Sequence, residues 1–127
     1  MCAMSVFNDA ELEYLTGGRR LGRIATVGAD GTPHVVPVGW IYNAARDTID
    51  VGGYELEQSK KFRDVVRNGR VAIVIDDLES TDPWRPRGIE IRGSADAIAR
   101  PTPLIQIHPE RIVSWGLGQA RSARTVA

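Results

Sequence analysis

The sequence predicts a mainly β domain, a β-barrel with short helices. Six or seven short runs of β-prone residues recur along the 127-residue chain, most of them bounded by Gly, Pro, Asn or Asp. Residues 88–99 alternate apolar and polar side chains, as a half-buried strand does. So many strands exceed what one open sheet can cover in so short a chain, and closure into a barrel removes the exposed edges.

Composition limits the function classes. Lys and Arg number 16 and Asp and Glu also 16, so the formal net charge is zero, which argues against a nucleic-acid or membrane-surface partner. No apolar run has the length of a membrane span, and the first residues lack the pattern of a signal peptide. We expect one cytoplasmic domain over residues 1–118 and a disordered tail over 119–127. Cys2 is the sole cysteine, lies at the terminus and is assigned no catalytic role.

The first half of the chain predicts a helix and a three-stranded meander. Asn8 and Glu11 form a capping box, and Gly17 and Gly18 end that helix. Strands follow at 21–27, 34–42 and 48–52, with an Asp-Gly hairpin turn inside residues 28–32.

The second half begins with a basic helix over residues 58–68, capped by Ser59. Its predicted apolar face holds Phe62, Val65 and Val66, and its polar face holds Lys60, Asp64 and Arg67. A buried strand over 70–75, a polar loop over 76–87 and strands at 88–99, 104–107 and 112–115 complete the domain.

No catalytic residue and no metal site is predicted. The sequence lacks the spaced Cys and His ligands of a metal site and the motifs of serine hydrolases and P-loop proteins. His34 and His108 lie on different predicted strands, and the carboxylates form no evident acid–base pair.

Ser59, Lys60 and Lys61 form a candidate phosphate site. The free N–H groups and the dipole of a helix start favour an anion, and lysines there are unfavourable unless an anion neutralises them. The alternative is a solvated basic face with a Lys60–Asp64 pair.

Strand 34–42 offers a second candidate surface. Pro37 and Gly39 share one face and give it low relief, so a planar ring could lie against the main chain. An edge strand with a bulge would explain the same pattern. Trp84, set between two prolines, could cover a ligand or pack on a partner chain.

Together these segments resemble the pyridoxamine 5′-phosphate oxidase-like split β-barrel superfamily. Residues 107–117, IHPERIVSWGL, are similar to the actinobacterial branch that uses the deazaflavin F420, of which a subgroup reduces tetracycline-type intermediates. Longer relatives place a helix where residues 100–103 form a short link. The likeness spans roughly residues 8–117 and is carried by 22–27, 30–38, 61–65, 70–75 and 89–95.

The resemblance implies a homodimer with cofactor bound between two barrels. It implies that Lys61 grips the cofactor phosphate, helped by Ser59 and the helix start, and that the main chain of Pro37, Val38 and Gly39 faces the ring. Lys60 and His34 are further candidate cofactor-binding residues. His34 is a candidate proton donor, with solvent as the alternative. The expected function is an F420-dependent reductase that transfers hydride to an activated C=C or C=O of a small planar substrate.

Two other functions are compatible with the same residues. The first is an FMN enzyme of the pyridoxamine phosphate oxidase or flavin reductase kind. The second is a non-enzymatic cofactor carrier or haem-binding split barrel, for which His34 or His108 would be the axial ligand.

Overall fold

A computed structural model describes residues 4–127, so Cys2 lies outside the described residues. No helix within that range has the length and apolar character needed to cross a membrane. The elements in chain order are α1 (Asp9–Thr16), β1 (Gly22–Val27), β2 (Pro33–Val38), β3 (Trp40–Asn43), β4 (Thr48–Val51), a 3-10 turn (Leu56–Gln58), α2 (Lys60–Arg67), β5 (Arg70–Thr81), β6 (Trp84–Ile98), β7 (Leu104–Trp115) and β8 (Ser122–Thr125).

The strands form one antiparallel sheet that curls on itself. Its order is β2-β1-β5-β6-β7-β4-β3, and β8 adds to β7. The two ends of this order, β2 and β3, are joined in sequence by the single residue Gly39. Since one residue cannot span an open sheet, the sheet must curve until its two edges meet. The mainly β class predicted from the sequence is confirmed, with eight strands rather than six or seven.

The core is built largely from branched aliphatic side chains on the inner face. Ile24, Ile73 and Ile91 face one another across β1, β5 and β6, and each is at most 1% exposed. α2 closes the barrel with Phe62 and Val65. β-branched residues suit this arrangement because they pack well on a pleated, buried surface.

The capping predictions for both helices are confirmed. Asn8 accepts a hydrogen bond from the Glu11 amide, and Glu11 accepts one from the Asn8 amide. Ser59 accepts one from the amide of Phe62. The hairpin between β1 and β2 is also confirmed, with Gly31 at φ 85°, a conformation that glycine adopts without strain.

The predicted polar loop over 76–87 is wrong. β5 and β6 continue through it as a hairpin that extends beyond the core, and Trp84 stands at the tip with 68% of its surface exposed. Because both faces of this extension meet solvent, its side chains show no apolar alternation. At the core end of this hairpin, Asp77 accepts hydrogen bonds from Arg87 and from the Tyr14 hydroxyl. The Arg87 guanidinium lowers the pKa of Asp77 to about 2.

The two predicted strands at 104–107 and 112–115 are one strand, β7. Its register shifts where Gly93 pairs with Pro109 and Arg92 with Arg111, which leaves Glu110 as an extra residue. Before this bulge the odd-numbered residues of β7 face the core, and after it the even-numbered ones do. The apolar alternation is therefore interrupted although the strand continues. Gly93 permits the close approach, since a Cβ there would lie 2.0 Å from the His108 carbonyl oxygen.

The tail predicted to be disordered over 119–127 contains strand β8, which pairs with β7 between Arg111 and Ser114. The physical reason is a buried ion pair. Arg124 donates to both carboxylate oxygens of Glu11, at 2.7 and 3.0 Å, and Glu11 is completely buried. Ser114 donates a third hydrogen bond to the same carboxylate, at 2.6 Å. The tail thus joins α1 to the sheet.

Candidate functional site

The start of α2 presents two free cations. Lys60 is exposed and Lys61 half-buried, and neither ammonium forms an ion pair within residues 4–127. They are the only lysines in the chain. Ser59 precedes them, and its hydroxyl is engaged twice, accepting from the Phe62 amide at 3.3 Å and donating to the Leu56 carbonyl at 2.6 Å. Its main role is therefore to fix the helix start from which both lysines extend.

A buried carboxylate on α2 holds His34. Asp64 is 1% exposed and accepts hydrogen bonds from Thr26 Oγ1 and from His34 Nδ1, each at 2.8 Å. Burial by itself would raise the pKa of Asp64, but the hydrogen bonds from His34 and Thr26 outweigh it and hold that pKa below its usual value. The Nδ1–H of His34 is thereby committed to Asp64, so Nε2 is the ring nitrogen left for a ligand.

This arrangement corrects the predicted faces of α2. The periodicity predicts Asp64 on the polar face with Lys60 and Val66 on the buried face. Instead Asp64 is buried and Val66 is 68% exposed. The helix turns its carboxylate inwards because Thr26 and His34 supply two donors there, whereas Val66 finds no comparable contact in the barrel.

We expect Thr26→Val to lower the free energy of unfolding by about 1.5–3 kcal/mol, the usual value of a hydrogen bond to a charged group. The substitution keeps the shape of the side chain but removes a donor from the buried carboxylate of Asp64. Urea unfolding followed by circular dichroism measures the change. Thr81→Val, on the exposed hairpin, is the matched control, and an equal effect of both substitutions would contradict the assigned hydrogen bond.

The main chain on either side of Gly39 is open. Pro37 is exposed, Val38 is 6% exposed and turns its side chain into the core, and a Cβ added to Gly39 would meet nothing within 4 Å. Only the backbone of Val38 can therefore face a ligand. At about 3.3 Å per residue, these positions lie about 10–17 Å beyond His34 along the strand.

Two grooves flank Gly39. The basic groove, about 700 Å³, is lined by Arg19, Arg20, Trp40, Ile41 and their neighbours. The apolar groove, about 410 Å³, lies on the other side and has Asp50 as its acidic group. Trp40 lines both grooves. Its indole N–H donates to the Arg20 carbonyl at 2.7 Å, and its ring packs against the core, on the face of β3 opposite Asp50. The remaining residues of the apolar groove are Gly39, Ile41, Gly52, Gly53, Thr102, Pro103 and Leu104.

The family follows from a comparison of the whole chain with known families. Residues 9–125 match the model of the pyridoxamine 5′-phosphate oxidase family. The chain belongs to this family. The resemblance inferred from its short segments is thus confirmed.

Individual relatives of this pyridoxamine 5′-phosphate oxidase family member agree with the assignment. It is 42% identical over 120 residues to a 5a,11a-dehydrotetracycline/5a,11a-dehydrooxytetracycline reductase from Streptomyces rimosus, covering 87% of this chain and 84% of that one. A conserved hypothetical protein from Mycobacterium tuberculosis shares the fold, with a TM-score of 0.71 and 20% identity over 91% of this chain and 89% of the other. A structure described as an F420 reductase gives a TM-score of 0.61 and 19% identity, covering 79% and 94%.

Sequence reasoning missed the burial of two carboxylates of this family member, Asp50 and Asp64. Asp64 and Asp50 both occupy positions that periodicity treats as polar surface. The presence of a histidine and a threonine on the first hairpin, each able to donate to a carboxylate, was the available signal for Asp64. Thr48 is the one donor to Asp50 within the strand 48–52, and the other two, Asn43 and Gln106, lie outside it, so the strand alone did not distinguish Asp50.

Proposed function

We propose that this protein is an oxidoreductase that uses coenzyme F420 to reduce an activated C=C or C=O of a small planar substrate. The observation that carries the proposal is the pair of lysines at the α2 start that form no ion pair within the described chain, on the helix whose Asp64 holds His34 of β2. The relative named as a dehydrotetracycline reductase and the structural neighbour named as an F420 reductase support the same activity.

The residues present fit an elongated cofactor with an anionic end. Lys60, Lys61 and the helix start would hold the phosphate, because neither ammonium forms an ion pair within the described chain. The open backbone at Pro37 and Gly39 would accommodate the ring, since neither a side chain at Gly39 nor a bulky group at Pro37 obstructs it. When bound in its reduced form, F420 supplies the hydride.

His34 belongs to the anionic end of this site. Asp64 fixes its ring, and the positive charge of Lys60, one turn earlier on α2, helps to lower the pKa of the same carboxylate. The free Nε2 then serves as a hydrogen-bonding group for the phosphate or its adjoining chain. Because His34 lies about 10–17 Å from Pro37–Gly39 by strand spacing, we assign the proton needed at the substrate to solvent and not to His34.

We further propose that the protein works as a homodimer. Several large apolar side chains on different elements are left in solvent: Val35 is 66%, Ile41 65%, Val66 68% and Trp84 68% exposed. An association that buries Val35 and Ile41 would also cover the main chain around Gly39 and exclude water from the ring. Light scattering after size-exclusion chromatography should give twice the 13.9 kDa chain mass.

Parallel fluorescence titrations with F420 and FMN test the cofactor assignment. We expect saturable binding of F420 that is at least tenfold tighter than that of FMN, because the F420 tail carries more negative charge than one phosphate. Tighter binding of FMN, or purification of a yellow protein with an oxidised flavin spectrum, would overturn the F420 assignment and favour the FMN enzyme.

A further inference from the structure

We infer that the apolar groove beside Gly39 is a binding site for a planar ligand that carries a positive charge, and that Asp50 receives this charge. The inference rests on the proposed function only in taking the ligand to be the substrate. The binding itself is argued from the groove.

Asp50 is a buried carboxylate whose partners are all neutral. Its Oδ1 accepts hydrogen bonds from Thr48 Oγ1 at 2.8 Å and Gln106 Nε2 at 3.1 Å, and its Oδ2 accepts one from Asn43 Nδ2 at 2.9 Å. Asp50 is 7% exposed, and within residues 4–127 it forms no ion pair. The hydrogen bonds fix the carboxylate, but they leave its charge uncompensated, which is costly in a poorly hydrated place.

The carboxylate retains capacity for a ligand. A carboxylate has about four lone-pair positions, and three donors occupy three of them here. The open position is on Oδ2, the oxygen that Asn43 alone contacts. Since Asp50 lines the apolar groove, a cationic group inside that groove would both complete this set and neutralise the charge.

The rest of the groove selects a flat, apolar body. Ile41 and Leu104 supply apolar surface, and the space in front of Gly52 is clear, with nothing within 4 Å of a Cβ built there. The volume of about 410 Å³ lies within the range of about 300–1,000 Å³ common for small-molecule sites. Part of the wall is Thr102 and Pro103, in the short link where longer relatives are expected to carry a helix. The shortened connection leaves this side of the groove open.

The groove also adjoins the candidate cofactor surface. Gly39 lies at its edge, and the proposed ring position covers the main chain of Pro37–Gly39. A ligand placed between Ile41 and Asp50, which pair across β3 and β4, would therefore be next to the ring, as hydride transfer requires.

Two planar probes of similar size and different charge test the site. The first, 9-aminoacridine, is protonated at neutral pH, and the second, acridone, is neutral. Fluorescence quenching with the protein free of F420 measures binding of both, so failure here is separate from failure of the F420 titration. We expect 9-aminoacridine to bind about tenfold more tightly than acridone, because only it forms the charge-assisted hydrogen bond.

Asp50→Asn should abolish this preference while leaving acridone binding unchanged within about twofold. Asp96→Asn is the matched control, because it removes the same charge from a strand on the other side of β7. Gln106 of β7 pairs with Asp50 of β4 and with Asp96 of β6, and the Asp96 side chain is 68% exposed. Equal binding of the two probes to the native protein, or equal loss of preference in both variants, would overturn the assignment.

Gly52→Phe provides a test that does not depend on the carboxylate network. The new ring would occupy the clear space at Gly52, and neither probe should then bind. Continued binding of 9-aminoacridine to this variant would place it outside the groove and refute the proposal. Thermal unfolding of each variant shows whether it is folded, and if Asp50→Asn does not fold, Gly52→Phe decides.

Discussion

Arg124→Ala is expected to lower the free energy of unfolding by about 3 kcal/mol, the lower end of the range for breaking a buried ion pair. The lower end applies because the Arg124 side chain is 30% exposed, whereas Glu11 is completely buried. The loss arises mainly from Glu11, whose carboxylate would keep its hydrogen bonds from Ser114 and Asn8 but lose the one cation that pairs with it within residues 4–127. Urea unfolding at neutral pH measures the change.

Arg121→Ala is the control for this prediction. Arg121 precedes the same strand, is exposed and lacks a partner within the described chain, so its removal should change stability by less than about 0.5 kcal/mol. Equal losses from both variants would mean that β8 is held by its backbone ladder and not by the ion pair.

The same pair predicts how stability varies in acid. Burial alone would raise the pKa of Glu11, but the hydrogen bonds from Arg124 and Ser114 lower it below the usual value. Because the folded-state pKa is depressed, this contribution is present above about pH 4.5, the usual pKa of the free group, and is lost as the pH falls through the folded-state pKa. The Arg124→Ala variant should therefore lose less additional stability than the native protein between neutral pH and pH 3.

Lys61→Ala is expected to weaken F420 binding by about 10- to 150-fold, which corresponds to the 1.5–3 kcal/mol of a charged hydrogen bond. Lys61 is half-buried at the start of α2, where a phosphate would also meet the free amides of the helix. Fluorescence titration of F420 gives the dissociation constant, and its dependence on salt should become weaker in the variant.

Two further variants define the nature of the contact. Arg46→Ala removes one positive charge from the turn between β3 and β4 and should leave the affinity for F420 unchanged within about twofold. Lys61→Arg retains the charge and should recover most of the affinity. Unchanged binding by Lys61→Ala would exclude this side chain from the site, and an equal loss in Arg46→Ala would indicate only a general effect of net charge.

Features governed by neighbouring residues could be predicted from the sequence. The caps at Asn8 and Ser59 and the turn at Gly31 depend on hydrogen bonds and dihedral angles within a few positions, and all three are confirmed. The candidate site residues Lys60, Lys61, Pro37 and Gly39 were found in the same way, from a helix start and from strand relief. Their part in cofactor binding stays a prediction.

Features governed by distant contacts could not be predicted. The burial of Asp64 depends on donors 30 and 38 residues away, and the order of β8 depends on Glu11, 113 residues before Arg124. The continuity of β7 was hidden by one bulge, because an extra residue reverses the parity on which apolar alternation relies. In each case the prediction failed because it used only neighbouring residues, whereas the structure depends on a distant donor, a distant ion pair or an inserted residue.

The single residue that joins β2 to β3 has a consequence for how this fold can vary in length. Hydrogen-bonded pairing runs from β2 through the sheet to β3, and Gly39 connects these two end strands directly in the chain. A residue inserted beside Gly39 would have to be absorbed by the ladder with β1 or the ladder with β4, and either slip would turn a whole strand over. Insertions are therefore expected to accumulate at the solvent-exposed end of the β5–β6 hairpin, where they shift no strand register, and to be excluded from the connection at Gly39.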